Sequence, residues 1–254
     1  AAMRLGEFAQ FPEVVKALKD KLGDAEADAV VRANCAVSLG SSKDPSSYVL
    51  VQALAKKKEE KAVVRTGCVT AMAYLRAEAA MPEFVEMLKT EESGVVRNQI
   101  ETMLSKMPNP SRVVLEVTPL LNDAQGEPSA IRVLGMVGGP AVVAPLAKKL
   151  DEGKLTSHRA VIEALGNIRH PDAAAALVKF YPKANDAEKV DIFRALSTHP
   201  HPAAIELMTG QLRDVKVYPA VRRRAALSLG NLRAKAAIPA LSKALLNTTE
   251  DENL

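Results

Sequence analysis

The chain has 254 residues, a formal net charge of +4 and an aromatic content of 4%, with no Trp. A core with so few aromatic side chains must be built from Ala, Val, Leu, Ile and Met, which favours many small helix–helix contacts over one large sheet core. The sequence has no uncharged apolar run of the roughly 18 residues that a membrane span needs, and its charge is far below the dense basic face of an obvious nucleic-acid binder.

The first 23 residues predict half of a two-helix unit. Leu5-Gly6 stands 34 residues before Leu39-Gly40 and matches it. The start of the chain lacks the basic region and apolar region of a signal peptide. Because the first two-helix unit is incomplete, we expect the chain to be a fragment of a longer array. The cellular compartment is left open, with the cytoplasm favoured.

Seven full units follow this half unit, and each carries the same apolar pattern. The clearest copies are VRANCAVSLG from Val31 and VRRRAALSLGNL from Val221. One apolar anchor per unit recurs at spacings of 33, 32, 30, 31, 31 and 33 residues, at Leu39, Met72, Leu104, Leu134, Leu165, Leu196 and Leu229. A constant period of this length predicts a repeat architecture.

Prolines and glycines divide each unit into two helices. Prolines lie six residues after five of the anchors, at Pro45, Pro110, Pro140, Pro171 and Pro202, and ten residues after the other two, at Pro82 and Pro239. Because proline fits the first turn of a helix and not its interior, a second helix is predicted to begin near each of them. Glycine directly after the anchor is predicted to mark the end or bend of the first helix, at Gly40, Gly135, Gly166 and Gly230.

These motifs resemble the HEAT-like repeat family, in the short form also found in phycobilin lyase subunits. The resemblance is strongest in Val31–Gly40, Ala160–Gly166 and Val221–Leu245. It implies an all-α, right-handed superhelical solenoid of about seven to eight two-helix repeats. The expected array runs continuously over 1–254, with a half repeat at 1–23 and a polar tail at 247–254. It also implies that the second helices line a concave face that binds a partner.

The first helices carry a column of charged residues that is predicted to link successive units. The column reads Arg32, Arg65, Arg97, Glu127, His158, Lys189 and Arg222. Asp28 lies four residues before Arg32, a spacing that favours an ion pair along the helix.

Histidines and cysteines give no catalytic, metal or cofactor site in this interpretation. One relative of this repeat class is a di-iron hydroxylase built on His-Glu pairs, and here every histidine precedes Arg or Pro instead, at His158, His170, His199 and His201. Cys35 and Cys68 occupy equivalent positions of adjacent units. Neighbouring helices lie about 8–10 Å apart, too far for an unstrained disulfide, so both are predicted to be small buried thiols.

The second helices carry most of the excess positive charge, which makes them the predicted binding surface. The candidate residues are Lys16, Lys19, Lys56, Lys57, Lys148, Lys149, Lys179 and Lys243. Their irregular spread favours an acidic protein or peptide over a regular phosphate backbone. We predict a non-catalytic, monomeric scaffold without a cofactor. Nucleic-acid backbone binding and a non-catalytic subunit of a modifying enzyme such as a lyase remain as alternatives.

Overall fold

The computed structural model describes residues 11–152 and 158–246, and every regular element within these ranges is helical. Two predictions fall outside the described residues: the match at Leu5-Gly6 and the tail at 247–254. The described helices include none that combines the length and apolarity needed to cross a membrane.

The first three pairs of α-helices follow a single leading helix. The helices of this part are α1 (Pro12–Gly23), α2 (Ala29–Ser42), α3 (Tyr48–Lys56), α4 (Ala62–Thr90), α5 (Gly94–Ser105) and α6 (Pro110–Val117). The long helix α4 contains both members of its pair, and Arg76 marks the kink between them with φ −151° and ψ 68°.

The same alternation continues to the end of the described chain. The remaining helices are α7 (Glu127–Val137), α8 (Val143–Glu152), α9 (His158–Asn167), α10 (Pro171–Phe180), α11 (Asp186–Leu196), α12 (Pro202–Arg213), α13 (Pro219–Asn231) and α14 (Ile238–Leu245). Short 3-10 helices lie at Pro45–Ser47, Thr118–Asn122, Pro140–Val142, Tyr181–Lys183 and Lys235–Ala237. The predicted all-α solenoid of two-helix repeats is thereby confirmed.

Six of the seven prolines lie at the start of a second helix or of the turn before it, as the sequence predicts, and Pro239 is the second residue of α14. Pro82 is the exception, because it lies inside α4, six residues after the kink at Arg76. Pro110, Pro171 and Pro202 are the first residues of α6, α10 and α12. Pro45 and Pro140 open the 3-10 turns that lead into α3 and α8. A first-turn proline loses no hydrogen bond, because the first amides of a helix have no partner within it.

The two-helix repeats are grouped into two larger compact units, residues 1–133 and 134–254, which we call the first and the second unit. In each, the anchor residues of the first helices are completely buried: Leu39, Met72 and Leu104 in the first unit, and Leu134, Leu165, Leu196 and Leu229 in the second. The second helices contribute Val51, Phe84 and Val113 to one core and Leu146, Leu177 and Met208 to the other. Burial of such side chains contributes about 1.5–3 kcal/mol each, which makes repeat stacking the main source of stability.

The glycines after the anchors lie inside the first helices, and Gly40 and Gly166 allow a neighbouring first helix to pack closely. Gly40 lies inside α2, two residues before its end at Ser42. A Cβ atom on Gly40 would lie 2.7 Å from the Cα atom of Ala71, and one on Gly166 would lie 2.6 Å from the Cβ atom of Ala195. Neither distance is compatible with van der Waals packing, so glycine is required there by the neighbouring helix.

A matched pair of glycine substitutions tests this packing. Gly40→Ala is expected to lower the free energy of unfolding by about 1–3 kcal/mol, because the added methyl group overpacks the contact with Ala71. Gly230 has the same repeat position, but a Cβ atom there would meet nothing within 4 Å. Gly230→Ala should therefore raise stability by about 0.5–1 kcal/mol through helix propensity. Urea denaturation measures both, and equal changes would contradict the close approach at Gly40.

Three arginines of the charged column cap the preceding second helix. The Nε–H groups of Arg32 and Arg65 donate to the carbonyl oxygens of Leu22 and Ala55, each at 2.9 Å. Arg222 makes the equivalent bond to Leu212 at 3.3 Å. Each carbonyl belongs to the last turn of a helix, where no amide of that helix can reach it, so each arginine satisfies a group that would otherwise be buried without a partner.

Two of these guanidinium groups also bind a carboxylate from the next loop. Arg32 donates to both oxygens of Glu60 at 3.0 and 2.7 Å, and Arg65 donates to both oxygens of Glu91 at 3.1 and 2.5 Å. The predicted ion pair between Asp28 and Arg32 is therefore wrong. Asp28 is the N-cap of α2 and accepts from the amides of the first turn, an alternative that its short side chain favours.

Both cysteines are buried and free, as the sequence predicts. Cys35 is 3% exposed and Cys68 is completely buried. Burial raises the pKa of both thiols, in Cys68 to about 12. The thiol form therefore persists at neutral pH, and these residues serve as small core side chains.

Candidate partner-binding surface

In the first unit, two of the four candidate lysines, Lys19 and Lys56, form ion pairs with carboxylates. Lys19 on α1 lies 3.1 Å from Asp44 and donates to the hydroxyl of Ser46 at 2.5 Å. Hydrogen bonds from Ser46, and then from Lys19 and Ser47, lower the pKa of Asp44 to about 2. This cluster ties α1 to the turn before α3. Lys16 is exposed on the same helix.

Lys56 on α3 takes part in a second cluster, centred on Glu83 of α4. The carboxylate lies 2.8 Å from Lys56 and also accepts from the hydroxyl of Tyr48 at 3.0 Å and from the amide of Gln52 at 2.7 Å. Burial raises the pKa of Glu83, but the hydrogen bonds from Lys56, Gln52 and Tyr48 lower it overall. Lys57 directly follows α3 and is exposed.

In the second unit, three of the candidate lysines occupy equivalent positions of their helices. Lys148, Lys179 and Lys243 each follow the anchor of their unit by fourteen residues, on α8, α10 and α14. Lys148 and Lys179 have side chains that are 81% and 73% exposed, and Lys243 is also exposed. The corresponding residue of α12 is Gly210. We name Lys148, Lys179 and Lys243 the lysine row.

Positive charge remains in excess around the first two members of this row. Lys179 and Lys183 share the carboxylate of Asp151, at 2.7 and 2.8 Å. Hydrogen bonds from these two lysines lower the pKa of Asp151. Glu152 lies 3.8 Å from Lys148, a weak exposed contact. Three cations thus face two carboxylates, and the lysine side chains stay accessible.

Lys149 does not belong to this surface, which corrects its place among the candidate residues. It is 8% exposed. Lys148 and Lys149 are adjacent on α8, and adjacent residues of a helix point in directions about 100° apart. When Lys148 points outward, Lys149 therefore packs against the neighbouring structure.

The carboxylates that pair with the lysines were missed by the sequence analysis. Asp44, Glu83 and Asp151 lie 25, 27 and 28 residues from Lys19, Lys56 and Lys179, which is slightly less than one repeat. Stacking brings residues one repeat apart into contact, so the signal was an acidic residue at that separation on the adjoining second helix or its turn.

Comparison with known proteins identifies repeats in both units. A family model described as HEAT repeats matches residues 25–105, and one described as PBS lyase HEAT-like repeat matches residues 158–181 and 221–247. The comparison with curated proteins gives no match. The matched ranges coincide with helix pairs described above, namely α2–α5, α9–α10 and α13–α14.

Two solved structures show a low overall similarity. Human deoxyhypusine hydroxylase in complex with glycerol is 14% identical, with a TM-score of 0.43, over 92% of this chain and 89% of that protein. An engineered protein is 18% identical, with a TM-score of 0.39, over 99% of this chain and 81% of that protein. The assignment of the repeats rests on the family models and on the observed helix pairs.

Proposed function

Because the chain belongs to the HEAT-like repeat family, we propose that it is a non-catalytic scaffold that binds an acidic protein or peptide on the exposed face of its second helices. HEAT repeats are generally scaffolds for protein interactions. The observation that carries the proposal is the lysine row, which places equivalent exposed cations on α8, α10 and α14 of one unit.

The surface beside the lysine row suits contact with another chain. One turn before each lysine stands a small, exposed residue: Ala144, Ala175 and Pro239. Short side chains let a partner backbone approach, while the flexible lysines reach out to its carboxylates. Exposed charges of this kind act mainly on the association rate and on its salt dependence.

Charge reversal tests the proposal. The double variant Lys148→Glu, Lys179→Glu should slow association with the partner recovered from source cells by about tenfold or more at low salt, because it replaces attraction by repulsion. The control is the double variant Lys216→Glu, Lys235→Glu, which makes the same charge change at exposed residues outside the second helices. Surface plasmon resonance at two salt concentrations measures the rates, and circular dichroism verifies the helical content.

Three outcomes would contradict the proposal. Equal slowing in both double variants would show that only the net charge of the chain matters. Unchanged binding in both would place the partner elsewhere on the chain. Tight binding of duplex DNA with a steep salt dependence would favour the nucleic-acid alternative instead.

A further inference from the structure

A groove in the second unit gathers three of the four histidines of the chain. It lies where α9 turns into α10 and α11 turns into α12, and its volume is about 720 Å³. The polar residues that line it are Arg169, His170, Thr198, His199 and His201. The lining contains no carboxylate among the described residues, in contrast to the lysine clusters.

Hydrogen bonds assign the ring proton in two of these histidines, His199 and His170. His199 is 5% exposed, and its Nε2–H donates to the carbonyl oxygen of Gly166 at 2.8 Å. His170 accepts from the amide of Asp172 at its Nδ1 atom, at 3.3 Å, so a neutral ring carries its proton on Nε2. In His201, the Nδ1 atom is buried and has no hydrogen-bond partner among the described residues.

A cation and two helix starts add positive potential to the groove. Arg169 is exposed and makes no ion pair or side-chain hydrogen bond within the described ranges. The helices α10 and α12 both begin at the groove, with His170 and His201 as their N-caps, and α12 has no side-chain cap. The positive end of each helix dipole therefore faces this region. Asp172 lies 3.5 Å from His170, but it is 75% exposed and does not line the groove.

We propose that this groove binds an oxyanion, a carboxylate or a phosphate group, carried on a small apolar body. Arg169 and the imidazoles of His170 and His201 supply the hydrogen-bond donors. Pro171, Pro200 and Ala174 supply the apolar walls. The groove is a separate feature from the lysine row, so this inference does not depend on the proposed function.

The test is NMR of the full chain labelled at its imidazole nitrogens, titrated with inorganic phosphate and, separately, with acetate. Sodium chloride is used to keep the ionic strength constant throughout each titration. Saturable shifts of His170 and His201 with either anion are the expected result, and the anion that saturates identifies the group bound. Arg169→Gln should weaken that binding by about tenfold, because it removes a charged donor. Arg213→Gln, at the exposed far end of α12, removes the same charge and should leave binding unchanged.

Two results would overturn the inference. One is a linear, unsaturated response to both anions. The other is an equal loss of affinity in Arg169→Gln and Arg213→Gln, which would reflect the net charge of the chain rather than a site. Because Arg169 and Arg213 are both exposed, neither variant should unfold the protein, and circular dichroism checks that they do not.

Discussion

Replacing Glu91 by alanine is expected to lower the free energy of unfolding by about 3–5 kcal/mol, because it leaves the Arg65 guanidinium buried without its carboxylate. The side chains of Arg65 and Glu91 are only 5% and 4% exposed. The arginine cannot swing out to solvent without also giving up its bond to the carbonyl oxygen of Ala55. The carboxylate additionally accepts from the amide of Ser93 at 2.9 Å, and the variant loses this bond too. Urea denaturation followed by circular dichroism measures the change.

Two further variants separate the buried pair from a general effect of charge. Glu92 is adjacent in sequence, and its side chain is 90% exposed, so Glu92→Ala should change stability by no more than about 0.5 kcal/mol. The double variant Arg65→Met, Glu91→Leu removes both charges and should recover most of the loss, apart from about 1 kcal/mol for the carbonyl of Ala55. If Glu91→Ala lowered the free energy of unfolding no more than Glu92→Ala, the buried pair of Arg65 and Glu91 would not stabilise the packing of neighbouring repeats.

The alternation of helices could be predicted from the sequence because it depends on local rules. An anchor such as Leu165 and a proline six residues later mark one helix pair, whatever packs against it. The role of the glycines could not be predicted in the same way. Gly166 stands near the end of α9, where a C-cap is plausible by sequence, but the contact that requires it comes from Ala195 on another helix. Only the stacked structure contains that information.

The candidate surface was predictable in part, for a related reason. Equivalent repeat positions place Lys148 and Lys179 on successive second helices and Lys243 two repeats further on, and their exposure follows from the apolar face of each helix. The pairing of charges was not predictable from a single helix. Asp151 binds Lys179 on the next second helix and Lys183 in the 3-10 helix that follows it, and this choice depends on the offset between repeats rather than on helix periodicity.

The groove lined by His170, His199 and His201 could also be predicted only in part from the sequence. His170 and His201 each precede a proline that is predicted to start a second helix, and in the structure they are the N-caps of α10 and α12. Their meeting in one groove depends on the stacking of α9–α10 on α11–α12, which also brings Arg169 to its edge. Residues with no chemical role within one repeat can thus form a site across two repeats.

Ala225→Asp is the second substitution with a large expected effect, a loss of about 3–5 kcal/mol, because it places an unpaired charge where first helices pack together. Ala225 is completely buried on α13. The close packing of α13 on α11 is evident nearby, where the hydroxyl of Ser228 donates to the carbonyl oxygen of Phe193 at 2.7 Å. An aspartate at residue 225 would therefore place its charge in this buried contact.

The matched change is Lys243→Asp on α14, which introduces the same side chain at an exposed position of the same helix pair. It should alter the free energy of unfolding by no more than about 0.5 kcal/mol. Chemical denaturation of both variants, with helical content as the readout, gives the comparison. Similar losses in the two would mean that the buried and exposed faces of this pair are assigned wrongly, and the lysine row would then lose its status as an accessible surface.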